Sequence, residues 1–317
     1  MTEYIHSPVM IDEISEYLAP RGRNETMVDG NLGEGGHSYH FLSTFKDLRI
    51  IGIEADSEIM AIAKERLKEF SGRMNFYQGW SHDFFAEYPE EYNRPDTILF
   101  DFGVSLYHYK KSGRGFSFAN NEILDMRIDT SFGSTAADII AKSPEKELAD
   151  ILFYNAGEKY SRRIASLIVK ERQKSSISTA QTLSGLVYRA VPASYRHGHI
   201  HPATRTFMAL RIAVNGELLK LPELLEASFR VLAPGGRLGA LSFHSAEDRI
   251  VKNFFKEKNK GSICTQETPK FKSEGFRSIN ILAKKGIEPS KDEIERNPPS
   301  RSARFRVAEK INDGVIT

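Results

Sequence analysis

The chain has 317 residues (35.8 kDa), and its 44 lysine and arginine residues nearly balance 42 aspartate and glutamate residues, for a formal net charge of +2 at pH 7. This balance excludes a uniformly basic protein, so any nucleic-acid surface must be a local patch. No apolar run approaches the roughly 20 residues that cross a bilayer, the N-terminal sequence lacks a secretory signal pattern, and the single cysteine, Cys264, excludes an intramolecular disulfide. We therefore expect a cytoplasmic protein without membrane association.

The region from Thr26 to Phe102 alternates short β-like runs with helical patterns. This alternation is typical of a parallel sheet with helices on its faces. The predicted strands are Thr26 to Asp29, Arg49 to Glu54, Met74 to Gln78 and Thr97 to Phe102. Apolar residues at helical spacing from Ser57 to Phe70 predict a crossover helix between the second and third strands.

A glycine-rich loop, DGNLGEGGH, follows the first predicted strand. Glycines let a ligand approach the backbone, and the next helix offers free N–H groups. A dinucleotide fingerprint starting at Gly33 requires a glycine where Ser38 stands, so that pattern fails. The methyltransferase pattern D-x-G-x-G-x-G is met by Asp29, Gly33 and Gly35, with Asn31 replacing the first glycine. Asparagine tolerates left-handed backbone geometry, so the loop favours S-adenosylmethionine, with a structural turn as the alternative.

Side chains suited to a nucleotide follow the other strands. Glu54 ends the second strand about twenty residues past the glycines, where a carboxylate can accept both ribose hydroxyls. Asp56, just beyond, is better placed to cap the next helix. Trp80 follows the third strand and Asp101 closes the fourth, at the edge where open α/β sheets hold ligands. We expect Glu54 and Asp101 to bind the donor, and Trp80 either to cover the adenine or to pack in the core.

After Phe102 the strand pattern stops until Arg237 to Phe243. No loop in a compact domain is that long, and the intervening sequence is helical, so we predict an inserted helical domain over residues 106–200. Residues 1–105 and 201–317 would then together form the ligand-binding domain that contains the sheet. The predicted helices are Glu145 to Tyr154, Glu158 to Glu171, Ala180 to Ala190, and one long helix from Ala203 to the Ala233-Pro-Gly-Gly236 turn.

The last part of the chain returns to the sheet. Ser245-Ala-Glu-Asp248 resembles a capping box ahead of an amphipathic helix. Ser278 to Ala283 and Ala303 to Ala308 predict an antiparallel pair at the sheet edge, and Lys284 to Arg304 between them is rich in Lys, Arg, Pro and Ser, which predicts an exposed loop.

Several segments together resemble one family: VDGNLGEGGHS, DFGVS, GRGFSF with LDMRID, HPATRTFMALRIAVNGEL, SFHSAEDRIVK and SRSARFRVAE. They are similar to the bacterial 16S rRNA (cytosine-N4) methyltransferases, the ribosomal RNA small subunit methyltransferase H family, from His6 to about Lys310. The resemblance implies a Rossmann-like class I methyltransferase sheet with an inserted helical substrate-recognition domain. It also implies S-adenosyl-L-methionine as methyl donor, no metal, and a P-site cytidine of 16S rRNA in the small ribosomal subunit as substrate, with a homodimer left open.

The resemblance assigns site residues by position. The implied donor contacts, with the loop residues, are Asp29, Asn31, Gly33, Gly35, Gly36, His37, Glu54, Trp80, Asp101 and His108. His108 stands where the family usually has glutamine, so a surface histidine is the alternative there. The implied target pocket comprises Arg114, Arg127, His201, Arg205, Arg211, Asn215, Glu247, Asp248 and Arg249, with Asp101 and His244 as catalytic candidates. For His201, Arg205, Arg211 and Asn215 a solvated or helix-pairing face is the alternative.

The reaction chemistry favours N4 over C5 of cytosine. Methylation at C5 requires a cysteine thiolate that adds to the ring, whereas N4 can attack the sulfonium methyl directly. Cys264 lies in a polar stretch remote from every predicted strand end, so the sequence favours N4 transfer. Asn297-Pro-Pro-Ser300 resembles the Asn-Pro-Pro-aromatic turn of amino-methyltransferases, but it lacks the aromatic residue and follows no strand of the sheet core.

Two other classes of protein use some of the same features. A nicotinamide dehydrogenase would also use the loop and Glu54, but it needs the glycine that is missing. A non-catalytic RNA-binding or assembly factor would explain the basic stretch from Lys284 to Lys310 but leaves the glycine loop without a ligand.

The first prediction concerns the lone cysteine. Cys264→Ser is expected to retain methyl transfer, because attack by N4 needs no covalent adduct with the enzyme. Transfer of labelled methyl groups to small ribosomal subunits by the purified variant measures this. Loss of transfer in a variant with an unchanged melting temperature would overturn the N4 mechanism.

Overall fold

The computed structural model describes residues 8–131, 133–198, 200–260 and 277–311, so Cys264 lies outside the described residues. The chain divides into two compact units, Met1–Gly103 with Lys220–Thr317 (the first unit) and Val104–Leu219 (the second unit). Its α-helices are α1 (Ile11–Leu18), α2 (Gly36–Thr44), α3 (Ser57–Arg66), α4 (Ser81–Ala86), α5 (Leu106–Lys110), α6 (Ala136–Lys142), α7 (Glu145–Ala156), α8 (Ser161–Arg172), α9 (Ala180–Ala190), α10 (Ala193–Arg196), α11 (Ala203–Asn215), α12 (Glu217–Val231), α13 (Ser245–Lys260) and α14 (Lys291–Arg296).

The first unit contains a seven-stranded sheet. Its strands are β1 (Thr26–Asp29), β2 (Arg49–Glu54), β3 (Met74–Gln78), β4 (Thr97–Asp101), β5 (Arg237–Ser242), β6 (Ile279–Ile281) and β7 (Arg304–Lys310). They lie in the order β3-β2-β1-β4-β5-β7-β6. The first five in this order are parallel, and β7 is antiparallel to β5 and β6. The predicted Rossmann-like class I methyltransferase sheet is therefore confirmed, as is the antiparallel pair at its edge.

The core of the first unit has two layers because alternate strand residues face opposite sides of the sheet. Met27 and Ile50 pack with residues of α1, α2 and α3 on one side. Val28 and Ile51 pack with residues of α4, α12 and α13 on the other. Both faces are covered by helices, so the ends of the strands are where polar groups of the sheet meet solvent.

Two cations hold the carboxyl end of α12. The Arg94 guanidinium donates to the carbonyl oxygens of Val231 (3.1 Å) and Leu232 (2.6 Å). The buried Lys310 ammonium, from β7, donates to the carbonyl oxygens of Phe229 (2.9 Å) and Leu232 (2.8 Å). Cations at this end of a helix satisfy its free carbonyls and interact favourably with its dipole, so they fix where α12 ends against the sheet.

The second unit is helical and has a hydrophobic core of its own. Leu148 and Leu152 of α7, Ile164 of α8, Leu183 of α9 and Phe207 of α11 are buried in one cluster. Because α11 packs into this core, the second unit extends to Leu219, whereas the sequence placed the boundary at residue 200.

The long helix predicted from Ala203 is instead two helices. Gly216 adopts φ 64°, a left-handed conformation that ends α11, and α12 begins at the next residue. The apolar spacing continues across the break, which is why the sequence pattern did not show it. Within the described ranges, no helix is both long and apolar enough to span a membrane.

Lys284 to Arg304, predicted as an exposed loop, also contains structure. The Ser290 hydroxyl accepts from the Glu293 amide (3.1 Å) and caps α14. A 3-10 helix, Pro298–Ser302, follows. The predicted loop is therefore an exposed helical connection between β6 and β7.

The second prediction tests the close approach of the glycine loop to the sheet. A Cβ at Gly30 would lie 2.4 Å from the ring of Phe100, which is buried. Gly30→Ala is expected to destabilise the protein by about 1 to 3 kcal/mol through overpacking. Gly72→Ala is the matched control, since a Cβ at Gly72 meets no atom within 4 Å. Equal melting temperatures for the two variants would contradict the close approach.

Candidate functional site

Three carboxyl groups mark the carboxyl edge of the first unit's sheet. Asp29 ends β1, Glu54 ends β2 and Asp101 ends β4. Asp29 is buried (1% exposed), and Glu54 and Asp101 are partly buried. Parallel neighbouring strands bring these ends together, so the sequence prediction that they share one edge is confirmed by the topology.

Asp29 anchors the glycine loop to the helix that follows it. Its Oδ2 accepts from the Ser38 hydroxyl of α2 (2.7 Å). Burial raises the pKa of Asp29 to about 6, and hydrogen bonds from Ser38 and from the Asn31 amide partly oppose that rise. Ser38 was missed in the sequence as a site residue, although it lies in the first turn of the helix that the loop leads into.

The loop's backbone differs in one respect from expectation. Gly33 (φ 54°) and Gly35 (φ 77°) are left-handed, and Gly35 is the N-cap of α2. Asn31 does not have positive φ, so the tolerance of asparagine for that region is not used, and its place in the glycine pattern causes no strain. A Cβ at Gly33 would meet no atom within 4 Å, so the described structure leaves open space beside this residue.

Glu54 ties this loop to the second strand. Its Oε2 accepts from the Gly33 amide (3.0 Å), and its Oε1 accepts from the Asp56 amide (2.8 Å). Burial raises the pKa of Glu54 to about 7, against the lowering effect of these two amides. The Asp56 carboxylate accepts from the Glu58 amide (2.9 Å) at the start of α3, so Asp56 is a helix cap, as predicted.

Asp101 lies beside a buried histidine. His37, in the first turn of α2, places Nε2 3.0 Å from the carbonyl oxygen of Val9 and Nδ1 3.5 Å from Asp101 Oδ2. A carbonyl only accepts, so Nε2 carries the proton and Nδ1 faces the carboxyl group. Burial, followed by the negative charges of Asp29 and Glu247, raises the pKa of Asp101 well above its usual value. Asp101 is thus a carboxyl group poised to hold a proton.

Trp80 lies just past the carboxyl end of β3. It is the N-cap of α4, it is partly buried, and its ring centroid lies 5.9 Å from that of His82. The Gly79 amide donates to the carbonyl oxygen of Glu54 (2.9 Å), which holds this turn against β2. Trp80 is in neither hydrophobic cluster of the first unit, so an edge position is favoured over core packing.

The helix after β5 is capped differently from the prediction. Glu247, not Asp248, reaches back, with Oε2 accepting from the amides of Phe243 (2.9 Å) and His244 (3.4 Å). His244 Nε2 lies 3.1 Å from Glu247 Oε1. The predicted capping box is therefore wrong by one residue, because the Asp248 carboxylate is bound by the Arg306 guanidinium in a bidentate pair (2.6 and 3.1 Å).

The other predicted pocket residues of this helix separate in role. Asp248 faces β7 through Arg306, which favours a structural role, whereas Arg249 is exposed. Arg306 was not singled out in the sequence, since a strand arginine carries no signal of its partner.

In the second unit, three predicted residues hold loops together. Asn215 Oδ1 accepts from the Ile128 amide (2.9 Å), and its Nδ2 donates to the Met126 carbonyl (2.8 Å). Arg127 forms a bidentate pair with Asp125 (2.8 and 2.7 Å). Arg114 donates to the Ile128 carbonyl (3.0 Å). Through these bonds Asn215 binds the backbone of the LDMRID loop, which is neither a solvated nor a helix-pairing position, and Arg114 and Arg127 fix the same loop.

The remaining predicted residues of the second unit are also engaged. The buried Arg211 pairs with Glu217 (2.9 and 2.7 Å), and Arg205 donates to the Tyr195 hydroxyl (2.6 Å). His201 is exposed and its ring stacks on Phe118 at 4.5 Å. His108 is buried against Phe116, with ring centroids 4.8 Å apart, so a surface histidine is wrong there.

Comparison with known proteins finds one family. A model of the MraW methylase family matches residues 3–311. The chain is 51% identical over 308 residues to the ribosomal RNA small subunit methyltransferase H of Treponema denticola, covering 97% of this chain and 98% of the relative. It is 42% identical to the protein of the same name from Sulfurihydrogenibium sp., covering 96% and 99%. For the Treponema pallidum protein of that name the identity is 38%, covering 96% and 92%.

The third prediction uses the pKa of Glu54. Since that pKa is raised to about 7, the carboxyl group is protonated below this pH and ionised above it, and only the ionised form accepts hydrogen bonds with both oxygens. Affinity for S-adenosylmethionine is expected to increase as the pH rises through about 7. In Glu54→Gln the affinity should no longer depend on pH in this range, and above this pH range the binding free energy should weaken by about 1.5 to 3 kcal/mol. Calorimetry across this pH range measures both effects.

The exposed Glu58, one turn into α3, provides the control. Glu58→Gln should keep both the affinity and its pH dependence. If Glu54→Gln retained the same pH dependence as the unmodified protein, a residue other than Glu54 would have to accept the hydrogen bonds of the ribose hydroxyls.

Proposed function

The chain belongs to the MraW methylase family, and from that premise we propose that it methylates the exocyclic N4 of a P-site cytidine in 16S rRNA of the small ribosomal subunit. The methyl donor is S-adenosylmethionine. The observation that carries the proposal is the convergence of Asp29, Glu54 and Asp101 with the glycine loop at one edge of the sheet. Family membership also decides against a nicotinamide dehydrogenase.

The residues at this edge fit the donor. S-adenosylmethionine carries a sulfonium and an ammonium group, and the raised pKa values of Asp29, Glu54 and Asp101 mean that a nearby positive charge would be favourable. Asn31 Oδ1 is a buried acceptor for which the described residues provide no hydrogen-bond partner. Open space beside Gly33 leaves room at the loop. A cationic ligand with hydrogen-bond donors matches this set.

The donor contacts follow from position. Glu54, already fixed by two amides, accepts the ribose hydroxyls, and Trp80 at the end of β3 covers the adenine. The glycines of the loop and the buried His37 shape the wall next to Asp101.

The reaction needs one bond to form and one to break. The N4 lone pair forms a bond with the methyl carbon while the bond between that carbon and sulfur breaks, and N4 then loses a proton. Asp101, ionised beside the bound cation, accepts a hydrogen bond from the amine and takes this proton, which its raised pKa favours. The His37 imidazole, oriented by Val9, faces the carboxyl group. His244, close to Glu247, has a supporting rather than a proton-transfer role.

The second unit is the substrate-recognition part in this proposal. Arg114 and Arg127 hold its LDMRID loop in place, and Arg205 and Arg211 bind Tyr195 and Glu217. The exposed His201 of this unit and the exposed Arg249 of α13, in the first unit, contact RNA in the proposal. The basic connection between β6 and β7 adds positive charge. The protein works in the cytoplasm on the small subunit.

The fourth prediction tests the product. Small ribosomal subunits from cells lacking this protein, incubated with the purified chain and labelled S-adenosylmethionine, are expected to yield N4-methylcytidine on nuclease digestion and mass spectrometry. Asp101→Asn should lower the transfer rate roughly 100-fold or more, the usual range for a lost general base. Its donor affinity should fall by a smaller factor.

Two results would contradict the proposal. Recovery of 5-methylcytidine would overturn the N4 assignment, and no methylated nucleoside with either subunits or free 16S rRNA would overturn the substrate. An Asp101→Asn variant with full transfer would remove Asp101 from the proton step.

A further inference from the structure

Two exposed aromatic side chains end α7 in the second unit. Phe153 is 52% exposed and Tyr154 is 70% exposed, and their ring centroids lie 5.2 Å apart in an edge-to-face arrangement. Most aromatic side chains of this size are buried in folded proteins, where they contribute large contact areas. A pair of adjacent exposed rings therefore indicates a surface for a ligand that stacks.

Three exposed cations follow directly in the chain. The left-handed Gly157 ends α7, Lys159 lies two residues before α8, and Arg162 and Arg163 lie in the first turn of α8. In the described part of the chain none of the three has a carboxylate partner, whereas other exposed lysines of this unit do: Lys142 pairs with Asp138 and Lys174 with Glu171, each at 2.7 Å. We call Phe153, Tyr154, Lys159, Arg162 and Arg163 the α7–α8 corner.

The position of these cations does not stabilise the helix. The first turn of α8 has no acidic residue, and positive charges at the amino end of a helix oppose its dipole. The nearest acid, Glu158, is buried and accepts from the Tyr160 amide (2.9 Å) and the Tyr195 hydroxyl (3.0 Å). Lys159, Arg162 and Arg163 thus leave an exposed positive surface that local folding does not require.

Packing fixes which way this surface faces. Leu148 and Leu152 of α7 and Ile164 and Ala165 of α8 are fully buried in the core of the second unit. Residues on the opposite sides of these helices are consequently held toward solvent. The corner is therefore carried by two helices that pack in the core of the second unit, so a ligand can bind it without first folding this segment.

A groove next to the corner has a different charge. It is shallow, has a volume of about 510 Å³, and is lined by Tyr154 itself together with Glu147, Asp150 and Lys146 among others. Two carboxylates against one lysine make this groove unfavourable for phosphate groups. Phosphates next to a base stacked on Tyr154 are therefore bound more favourably by Lys159, Arg162 and Arg163 than in this groove.

We propose that the α7–α8 corner docks a single-stranded segment of ribosomal RNA, with an unpaired base stacked on Tyr154 and Phe153 and the adjacent phosphates bound by Lys159, Arg162 and Arg163. Unpaired bases stack on aromatic side chains, and the phosphates beside them are bound by cations. The inference rests on the proposed function, since it names where the same substrate is held outside the donor site.

The test compares two double variants that each remove two positive charges from the second unit. Arg162→Gln with Arg163→Gln alters the corner, and Lys142→Gln with Lys174→Gln is the matched control. The probes are small ribosomal subunits and free 16S rRNA, both from cells lacking this protein. The corner variant is expected to bind both probes roughly tenfold or more weakly near 0.1 M salt. The slope of log affinity against log salt should be reduced by about 1.4, because each lost phosphate contact to a single strand lowers it by about 0.7. The control should change neither.

Tyr154 separates stacking from charge. Tyr154→Ala is expected to weaken binding of free 16S rRNA roughly fivefold or more with an unchanged salt slope, and Tyr154→Phe should restore it. S-adenosylmethionine affinity and melting temperature should be unchanged in all these variants.

The outcomes distinguish the docking surface from the proposed function. If the unmodified protein binds and methylates subunits but the arginine variant matches the lysine control, the corner is a solvated face and the inference fails alone. Weaker binding to subunits with unchanged binding to free 16S rRNA would assign the corner to a ribosomal protein and overturn the RNA contact. If the unmodified protein neither binds nor methylates either RNA probe, the proposed function itself fails.

Discussion

The site depends on the desolvation of carboxyl groups at the ends of parallel strands. Asp29, Glu54 and Asp101 stand where the sheet's helix-covered faces stop, close enough that Asp29 and Glu247 raise the pKa of Asp101 further. Burial of an ionised carboxylate costs free energy unless the group gains hydrogen bonds or a positively charged partner. The backbone amides of Gly33 and Asp56 and the hydroxyl of Ser38 supply part of that compensation. The raised pKa values of Asp29, Glu54 and Asp101 indicate that this compensation is incomplete, so a positive charge bound at this edge would be favourable.

Much of this arrangement could be predicted from the sequence because it is local. Short apolar runs predicted every strand of the sheet, and the residue after each run predicted which side chains share the edge. Glu54 and Trp80 were found in this way, and Asp56 was recognised as a cap because its carboxylate needs only the next turn of chain. Position along a parallel strand is enough for such residues, since the fold fixes the edge.

Other features depend on distant partners and were not predictable. The sequence predicted Asp248 as a capping residue, but its carboxylate binds Arg306, which is distant in the chain. Asn215 was predicted as a pocket residue, but its side-chain amide binds the backbone of Met126 and Ile128. The Val9 contact to His37 uses a backbone carbonyl, which every residue possesses, so no sequence signal exists for it. The break at Gly216 was hidden by an apolar spacing that runs through it.

The two cations at the end of α12 have a consequence for how the chain is made. Translation proceeds from the N-terminus and domains tend to fold as their residues emerge. The second unit is one continuous segment, Val104–Leu219, so all of its core residues leave the ribosome together. The first unit is divided, and the Lys310 ammonium that closes α12 arrives only with β7. Synthesis therefore completes the helical second unit while the sheet of the first unit still lacks β7, so a chain that ends before β7 contains the whole second unit but an incomplete first unit.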